Sequence, residues 1–233
     1  MKNWMKEAAI LAIGLIVMGL LLKNGIDRFT DKDRTVCVKG LAEIEVPANK
    51  VTWPMMYKVV GNDLIDIYNR ISQTNQTIEN YLKKHGIGET EISVNAPEII
   101  DMKAERWSNN ESPYRYNVTS VITVTSKQVD KVRQLIKGQS ELLKQGIALS
   151  AGDYRYNTEY DYTDLNQIKP QMIEEATKNA RQAAEKFAKD SGSTLGKIKQ
   201  ASHGQFSISD RDANTPYIKK VRVVTTIDYF LKD

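Results

Sequence analysis

Hydrophobic and polar positions along this chain follow two periodicities, after an opening segment that is apolar throughout. Residues 8–22 read AAILAIGLIVMGLLL and follow Lys2 and Lys6. At about 1.5 Å per helical residue, this run is roughly 22 Å long, against about 30 Å for the hydrocarbon layer of a membrane. The end of the run and the residues after it, LLLKNG, lack the small residues of a signal-peptidase site. The pattern predicts an uncleaved N-terminal transmembrane helix, a signal-anchor over residues 1–23, with a cleaved signal as the alternative.

A polar segment of mixed charge over residues 24–34 is expected to link this helix to the body. Basic residues are more numerous after the apolar run than before it, but three aspartates interleave with them. A short basic region before an apolar core is the arrangement of export signals. We therefore expect the body, residues 35–233, to be translocated.

The body contains several segments with strand composition. Two β-branched-rich stretches predict strands joined as a hairpin through Pro47-Ala48-Asn49. The clearest strand alternates Tyr114, Tyr116, Val118, Ser120, Ile122 and Val124 on one face. Together the predicted strands cover Thr35–Glu45, Val51–Gly61, Glu91–Ile100, Tyr114–Thr125, Ile147–Tyr162, Lys197–Ser209 and Lys220–Leu231.

Between the strands, apolar residues recur every three or four positions and predict three helices. The first begins at a cap formed by Asn62 or Asp63 and ends before Gly86. The second follows Ser126 as cap, is interrupted near Gly138 and resumes to Gly146. The third begins at Pro170, ends at Gly192, and carries a stripe of Met172, Ile173, Ala176, Ala180, Ala183, Ala184, Phe187 and Ala188. The predicted fold class is α+β, with antiparallel sheets, helices packed on one face, and two linked subdomains after the transmembrane helix.

The charge distribution and the missing motifs argue against nucleic-acid binding and against several classes of enzyme. The 33 basic and 29 acidic residues give a net charge of +4 spread along the chain, which is not a nucleic-acid footprint. Nucleotide-binding glycine motifs, a zinc-protease motif, a serine-hydrolase elbow and a calcium loop are missing from the sequence. We expect no enzyme activity and assign no catalytic, cofactor-binding or metal-binding residue.

Three residues have side chains that can take part in catalysis, but their surroundings in the sequence do not favour it. Cys37 is the single cysteine, lies in an alternating strand and has no glycine-rich oxyanion motif beside it. His85 stands where the first helix ends, a position that the helix dipole favours for histidine. His203 lies near a late strand in a Ser-His-Gly stretch. A Cys37/His dyad is therefore the least favoured of the functions considered.

The segment from Asp153 to Asp164, DYRYNTEYDYTD, has the most unusual composition of the body. Its four tyrosines are separated by even numbers of residues, which predicts one strand face stacked on Tyr114 and Tyr116. A protein interface is the second interpretation. Binding of a hard cation is the third, through the carboxylates of Asp153, Glu159, Asp161 and Asp164.

Several ordered features resemble the bacterial SIMPL domain family. The opening of that family, G-x-G-x-x-x-V-x-P-D, is altered here, since Val38 replaces the first glycine and Ala48-Asn49 follows Pro47. The segments that carry the resemblance are the apolar N-terminus, VKGLAEIEVPAN from Val38 to Asn49, the helix end Lys84-His85-Gly86-Ile87, the strand from Tyr116 to Thr125, and ATKNARQAAEKFAKDSGSTLG from Ala176 to Gly196.

The resemblance covers roughly Val36 to Asp233 and implies a non-enzymatic cell-envelope protein with an α+β body. Family members include ring- or channel-like homo-oligomers and proteins associated with oxidative-stress defence. Together with the predicted transmembrane helix, the resemblance implies a single-pass inner-membrane protein with its body in the periplasm, membrane contact through the N-terminal helix, and a homo-oligomer.

Three functions remain from the sequence. The leading hypothesis is a membrane-tethered protein that acts by self-association or partner binding through sheet edges and the tyrosine-rich segment. The alternative is a sensor or binding domain for a small ligand, which requires a concave apolar pocket with a few polar groups. The third is a Cys/His-dependent enzyme using Cys37, His85 or His203.

Overall fold

The structure, a computed structural model, describes residues 2–30, 34–104, 112–150 and 154–232, and in the first helix the side chains of Trp4, residues 7–23, Gly25 and Ile26. It has the predicted α+β class, with antiparallel strand pairs and helices. The helices are α1 (Lys2–Thr30), α2 (Leu64–Lys84), α3 (Val129–Lys137), α4 (Ser140–Lys144) and α5 (Leu165–Asp190). The strands are β1 (Thr35–Pro47), β2 (Lys50–Gly61), β3 (Ile92–Val94), β4 (Glu98–Asp101), β5 (Tyr116–Ser126), β6 (Glu159–Asp161), β7 (Thr194–His203), β8 (Ser207–Asp210) and β9 (Ile218–Lys232).

The chain divides into two compact units, each with its own core. The first unit contains Met1–Ile44, Asn166–Ile208 and Val221–Asp233. The second contains Glu45–Leu165 and Ser209–Lys220. Neither unit is continuous in sequence, so each depends on pairing between segments that are far apart along the chain.

In the first unit, α5 packs closely on a sheet with the strand order β1-β9-β7, in which β8 also pairs with β9. A Cβ atom at Gly40 would lie 1.9 Å from the carbonyl oxygen of Ala176, so β1 and the α5 backbone are in direct contact there. The buried side chains of α5 recur every four residues and are small after the first: Met172, Ala176, Ala180, Ala184 and Ala188. Ala183 and Phe187, which the predicted stripe included, are exposed.

Strand β9 confirms the predicted alternation of its two faces. Val221, Val223 and Ile227 are buried, while Arg222 on the other face is exposed. Its partner β7 is exposed along most of its length, and the β7–β9 register shifts between Leu195 and Ile198 and again between Ile198 and Gln200.

In the second unit, β5 is the central strand of a sheet with the order β3-β5-β2-β6, and β4 also pairs with β5. The β2–β5 pairing runs without a shift from Val51 opposite Ser126 to Gly61 opposite Tyr116. Apolar side chains of α2, α3 and α4 pack with those of β2 and β5 in one core. Asp63 is the N-cap of α2, and its carboxylate accepts hydrogen bonds from the amides of Ile65 and Asp66. His85 is the C-cap and is followed by Gly86, which has φ +80°.

The predicted hairpin between β1 and β2 is wrong. Both strands exist, but β1 pairs with β9 and β2 pairs with β5 and β6. The short connection Ala48-Asn49 is held by other partners: the Ala48 amide donates to the carbonyl of Tyr217, and the Asn49 amide to that of Asp161. Each strand therefore finds its partner far along the chain instead of in its sequence neighbour.

Other predicted boundaries also change. The strand predicted at Glu91–Ile100 is two strands separated by Asn95-Ala96-Pro97, and the one at Lys197–Ser209 is divided between β7 and β8. Among the described residues of the predicted Ile147–Tyr162 strand, namely 147–150 and 154–162, only Glu159–Asp161 form a paired strand. Pro170 lies inside α5, which begins five residues earlier. The hydroxyl of Ser126 accepts a hydrogen bond from the Gln128 amide just before α3, but the N-cap residue is Gln128.

Helix α1 is exposed over all of residues 7–23. Ile10, Leu11 and Leu21 each keep 66–70% of their surface accessible. The helix predicted at the N-terminus is present and continues to Thr30, while residues 31–33 of the expected linker lie outside the described part of the chain. The expected transmembrane span is not found, because no helix among the described residues is long and apolar enough to cross a membrane.

The alanine stripe gives a stability prediction with a neighbouring control. Ala184→Leu inserts three heavy atoms at a position with 0% exposure and should destabilise the protein by about 1–3 kcal/mol. Ala183→Leu makes the same change on the exposed side of α5 and should alter stability by less than about 0.5 kcal/mol. Urea unfolding of the two variants measures the difference, and equal midpoints would contradict the assigned packing face.

Candidate ligand-binding cleft

The second unit contains an apolar cleft between α2 and the edge of its sheet. The cleft has a volume of about 350 Å³. Volumes of roughly 300–1,000 Å³ are usual for small-molecule sites. Its walls are formed by Leu64, Ile67, Tyr68, Ile71, Ser72, Asn75, Val94, Asn95, Pro97, Ile99 and Val118.

One wall is the apolar face of α2. Ile67 and Ile71 point into the core, with exposures of 2% and 6%, while Leu64 and Tyr68 on the same face keep 43% and 68%. The apolar stripe of this helix is thus wider than the core beneath it. Its outer part is left uncovered and lines the cleft.

The other wall depends on the break between β3 and β4. Both strands pair with β5, with Val94 opposite Ile122 and Glu98 opposite Thr119. Between them the Asn95 amide donates to the carbonyl of Val121, and Pro97 has no amide proton to offer. The break leaves Val94 and Ile99 facing the cleft with 46% and 54% exposure.

A polar cluster lies at the side of the cleft where α2 meets the central strands. Tyr57 on β2 and Ser120 on β5 are directly opposite each other and are 3% and 1% exposed. The Tyr57 hydroxyl lies 2.7 Å from Oδ1 of Asn75 and 3.2 Å from the carbonyl oxygen of Ile71. The Ser120 hydroxyl lies 3.4 Å from the same Asn75 oxygen. Burial raises the pKa of Tyr57, and the hydrogen bond with Ser120 opposes that shift.

The family model of SIMPL, described as a protein of unknown function (DUF541), matches residues 36–227. The chain belongs to the SIMPL family. The resemblance seen in the sequence is thereby confirmed, over nearly the range expected. A search of curated proteins gives no match.

The three residues weighed for chemistry in this SIMPL protein each have separate partners. Cys37 is exposed on β1 beside Asp228 of β9. His85 caps α2: its Nδ1 lies 2.8 Å from the Tyr81 carbonyl oxygen, which accepts the hydrogen bond. Its ring packs on that of Tyr81 at 4.4 Å, and its Nε2 lies 3.8 Å from Oε2 of Glu141. Nδ1 of His203, at the end of β7, lies 3.3 Å from the carbonyl oxygen of Gly204.

The tyrosine-rich segment of the SIMPL protein does not form the predicted strand face. Tyr154 and Tyr156 lie in a short 3₁₀ turn, and Tyr160 on β6 packs edge-on against Tyr217 at 6.2 Å. Above Tyr217 the guanidinium of Arg133 lies 3.3 Å from the ring centroid. The tyrosine partner is therefore Tyr217, which lies in a distant part of the sequence, and the stacking on Tyr114 and Tyr116 is wrong.

The carboxylates of this segment are not gathered into a site. Asp161 forms an ion pair with Lys50 at 3.2 Å, and Glu159 is exposed. Asp153 lies outside the described residues. Among the residues that the structure does describe, no group of three or more His, Cys, Asp or Glu is arranged to hold a metal ion.

The environment of Cys37 predicts a thiol that reacts slowly with alkylating agents. A hydrogen bond with the Asp228 carboxylate raises the pKa of the Cys37 thiol, and Lys39 opposes this only in part. The thiolate is the species that alkylates. We expect the midpoint of the pH profile for iodoacetamide alkylation to lie above that of free cysteine, about 8.5, and Asp228→Asn to lower it.

Glu45→Gln is the control for that measurement. It also removes one carboxylate, but it lies eight residues further along β1, about 26 Å away in an extended strand. It should leave the alkylation profile unchanged. If the wild-type alkylation profile had its midpoint below that of free cysteine, the assigned Asp228 contact would be contradicted. Cys37 would then again be a candidate nucleophile.

Proposed function

We propose that this SIMPL protein is a non-enzymatic, membrane-associated binding protein whose cleft between α2 and the β3–β4 edge holds a small apolar ligand. Of the functions considered from the sequence, this is the small-ligand alternative. The observation that carries it is a concave apolar surface with a polar cluster at one side.

The exposed apolar area supports the proposal. Leu64, Tyr68, Val94 and Ile99 line one cleft and together leave apolar surface in water. Removing such surface from water is worth roughly 25 cal/mol per Å². A ligand that fills the cleft gains this energy from residues that the fold has already placed, so little ordering is needed on binding.

The residues of the cleft favour binding over catalysis. Ser72 and Tyr68 carry hydroxyls, but the eleven lining residues include no histidine, cysteine, lysine or carboxylate. A hydroxyl nucleophile needs an adjacent general base. The lining offers contact surface and hydrogen bonds, which are the requirements of a binding site.

The N-terminal helix supports association with a membrane. A helix with apolar side chains exposed around its circumference has no favourable environment in water. The family resemblance adds an inner-membrane location with the body in the periplasm, and we extend that to this chain as part of the proposal. Self-association, expected from membrane tethering, the sheet edges and the family resemblance, stays a prediction, as does a role in envelope stress, which rests on the resemblance alone.

A probe titration tests the cleft. 2-Ethylnaphthalene is neutral and apolar, and it should shift the δ-methyl NMR signals of Ile71 and Ile99 in the full chain held in lipid nanodiscs. The signal of Ile227, buried in the other unit, should stay in place. Leu64→Asp should weaken binding by about tenfold or more, because the bound probe would desolvate a carboxylate.

Ile65→Asp is the matched control for the cleft. It places the same charge one residue later in the same helical turn, on a side chain that is 73% exposed and does not line the cleft. Binding should change less than about twofold, within the usual effect of a surface substitution. Equal losses in both variants, or no shift of Ile71 and Ile99 at saturation, would overturn the proposed function. Shifts produced by raising the protein concentration alone would assign the cleft to a second copy of the chain.

The membrane part has its own test. Val17→Arg replaces a side chain that is 49% exposed on α1, and Ile198→Arg replaces one that is 50% exposed on β7. An arginine among the exposed apolar side chains of α1 has to lose water when that surface leaves the solvent, and burying an unpaired charge is unfavourable. In cell fractionation Val17→Arg should leave the carbonate-washed membrane pellet and Ile198→Arg should remain there. Recovery of the wild-type chain in the soluble fraction would refute membrane association.

A further inference from the structure

We infer that the cleft recognises an acceptor oxygen, such as a carbonyl, on a neutral and otherwise apolar ligand through the amide N–H groups of Asn75. The inference rests on the proposed function, since it concerns the same cleft. It adds the chemical class of the ligand and the residue that selects it.

The two ends of the Asn75 side chain are in different situations. Oδ1 has two lone pairs and lies near two hydroxyls, that of Tyr57 at 2.7 Å and that of Ser120 at 3.4 Å. These hydroxyls belong to buried side chains on β2 and β5 and hold the amide in one orientation. No group in the described part of the chain accepts a hydrogen bond from Nδ2. The amide nitrogen therefore has two donors available on a residue that lines the cleft.

The cleft lining carries no charged side chain, which selects against ionised ligands. A carboxylate or phosphate could also accept from Asn75, but none of the eleven lining residues is charged. Moving an ionised group out of water without a partner charge costs far more than one hydrogen bond returns. A neutral carbonyl carries a smaller desolvation penalty and uses the same donor. The cleft thus complements a neutral ligand.

The edge of the sheet selects against an extended peptide. A peptide that adds a strand needs a continuous row of free amides and carbonyls. Here the edge is interrupted at Asn95-Ala96-Pro97, and Pro97 lacks an amide proton. The cleft is formed at this interruption, which favours a compact molecule over an added strand.

Two probes of the same shape test the inference. 2-Acetylnaphthalene and 2-ethylnaphthalene share a skeleton and differ by one carbonyl oxygen, and 2-naphthoate adds a negative charge. In the full chain in nanodiscs, monitored through the Ile71 and Ile99 methyl signals, the acetyl probe should bind about three- to tenfold more tightly than the ethyl probe, the worth of one net hydrogen bond. The naphthoate should bind more weakly than either.

Two variants identify the donor. Asn75→Asp keeps oxygens for the hydroxyls of Tyr57 and Ser120 but has no N–H, and Asn75→Leu removes both functions. The preference for the acetyl probe should vanish in both. Gln76→Leu, which removes the side-chain amide of the next residue of α2, exposed and outside the cleft lining, should retain it. The ratio of the two affinities is measured within each variant, so a general loss of stability does not imitate the expected result.

The outcomes distinguish a failure of the Asn75 assignment from a failure of the proposed binding function. Binding of both neutral probes with equal affinity in the wild type, or a preference that survives Asn75→Asp, would overturn the role of Asn75 and leave the cleft as a binding site. Absence of binding by either neutral probe would overturn the proposed function itself. Tighter binding of the naphthoate would overturn the assignment of a neutral ligand.

Discussion

The pairing of β2 with β5 is the constraint on which the cleft depends. Its register places Tyr57 opposite Ser120, and a shift by one residue would turn one of these side chains to the other face of the sheet. Both hydroxyls are buried, so each must find a polar partner, and Asn75 of α2 supplies one. The same hydrogen bonds that satisfy the buried hydroxyls also fix the position of α2 over the sheet and the direction of the Asn75 amide.

The first unit depends on a different constraint, which is the short distance between a helix and a strand. At Gly40 the backbone of β1 lies so close to α5 that a single methyl group would collide with the Ala176 carbonyl. Alanine at every fourth position of α5 allows this approach along the helix, and the Asn179 side chain donates to the Leu41 carbonyl at 2.8 Å. Glycine at position 40 is thus required on steric grounds, and Val38, two residues earlier on the same strand, is buried in the core of this unit.

Local patterns predicted the elements well and their partners poorly. The period of α2, its Asp63 cap and the alternation of β9 are properties of neighbouring residues, and the structure confirms them. The β1–β2 hairpin and the long strand at Ile147–Tyr162 required knowledge of distant partners, such as Tyr217 for Tyr160, that no local pattern contains. The cleft was missed because Leu64 and Tyr68 share the helical period of the buried Ile67 and Ile71. One signal was available, since Pro97 within a predicted strand indicates an interruption, and that interruption forms the wall of the cleft.

The irregular register of β7 has a consequence for any assembly of this protein. A strand at the edge of a sheet has unpaired backbone groups, to which a strand of another chain can bind. Bulges and lysines on such a strand oppose this pairing. Here two register shifts fall within six residues, and Lys197 and Lys199 lie among them. A second chain that met this edge could therefore not extend β7 into a regular ladder of hydrogen bonds, so an exposed strand at the end of a sheet is protected against edge-to-edge aggregation by its own irregularity.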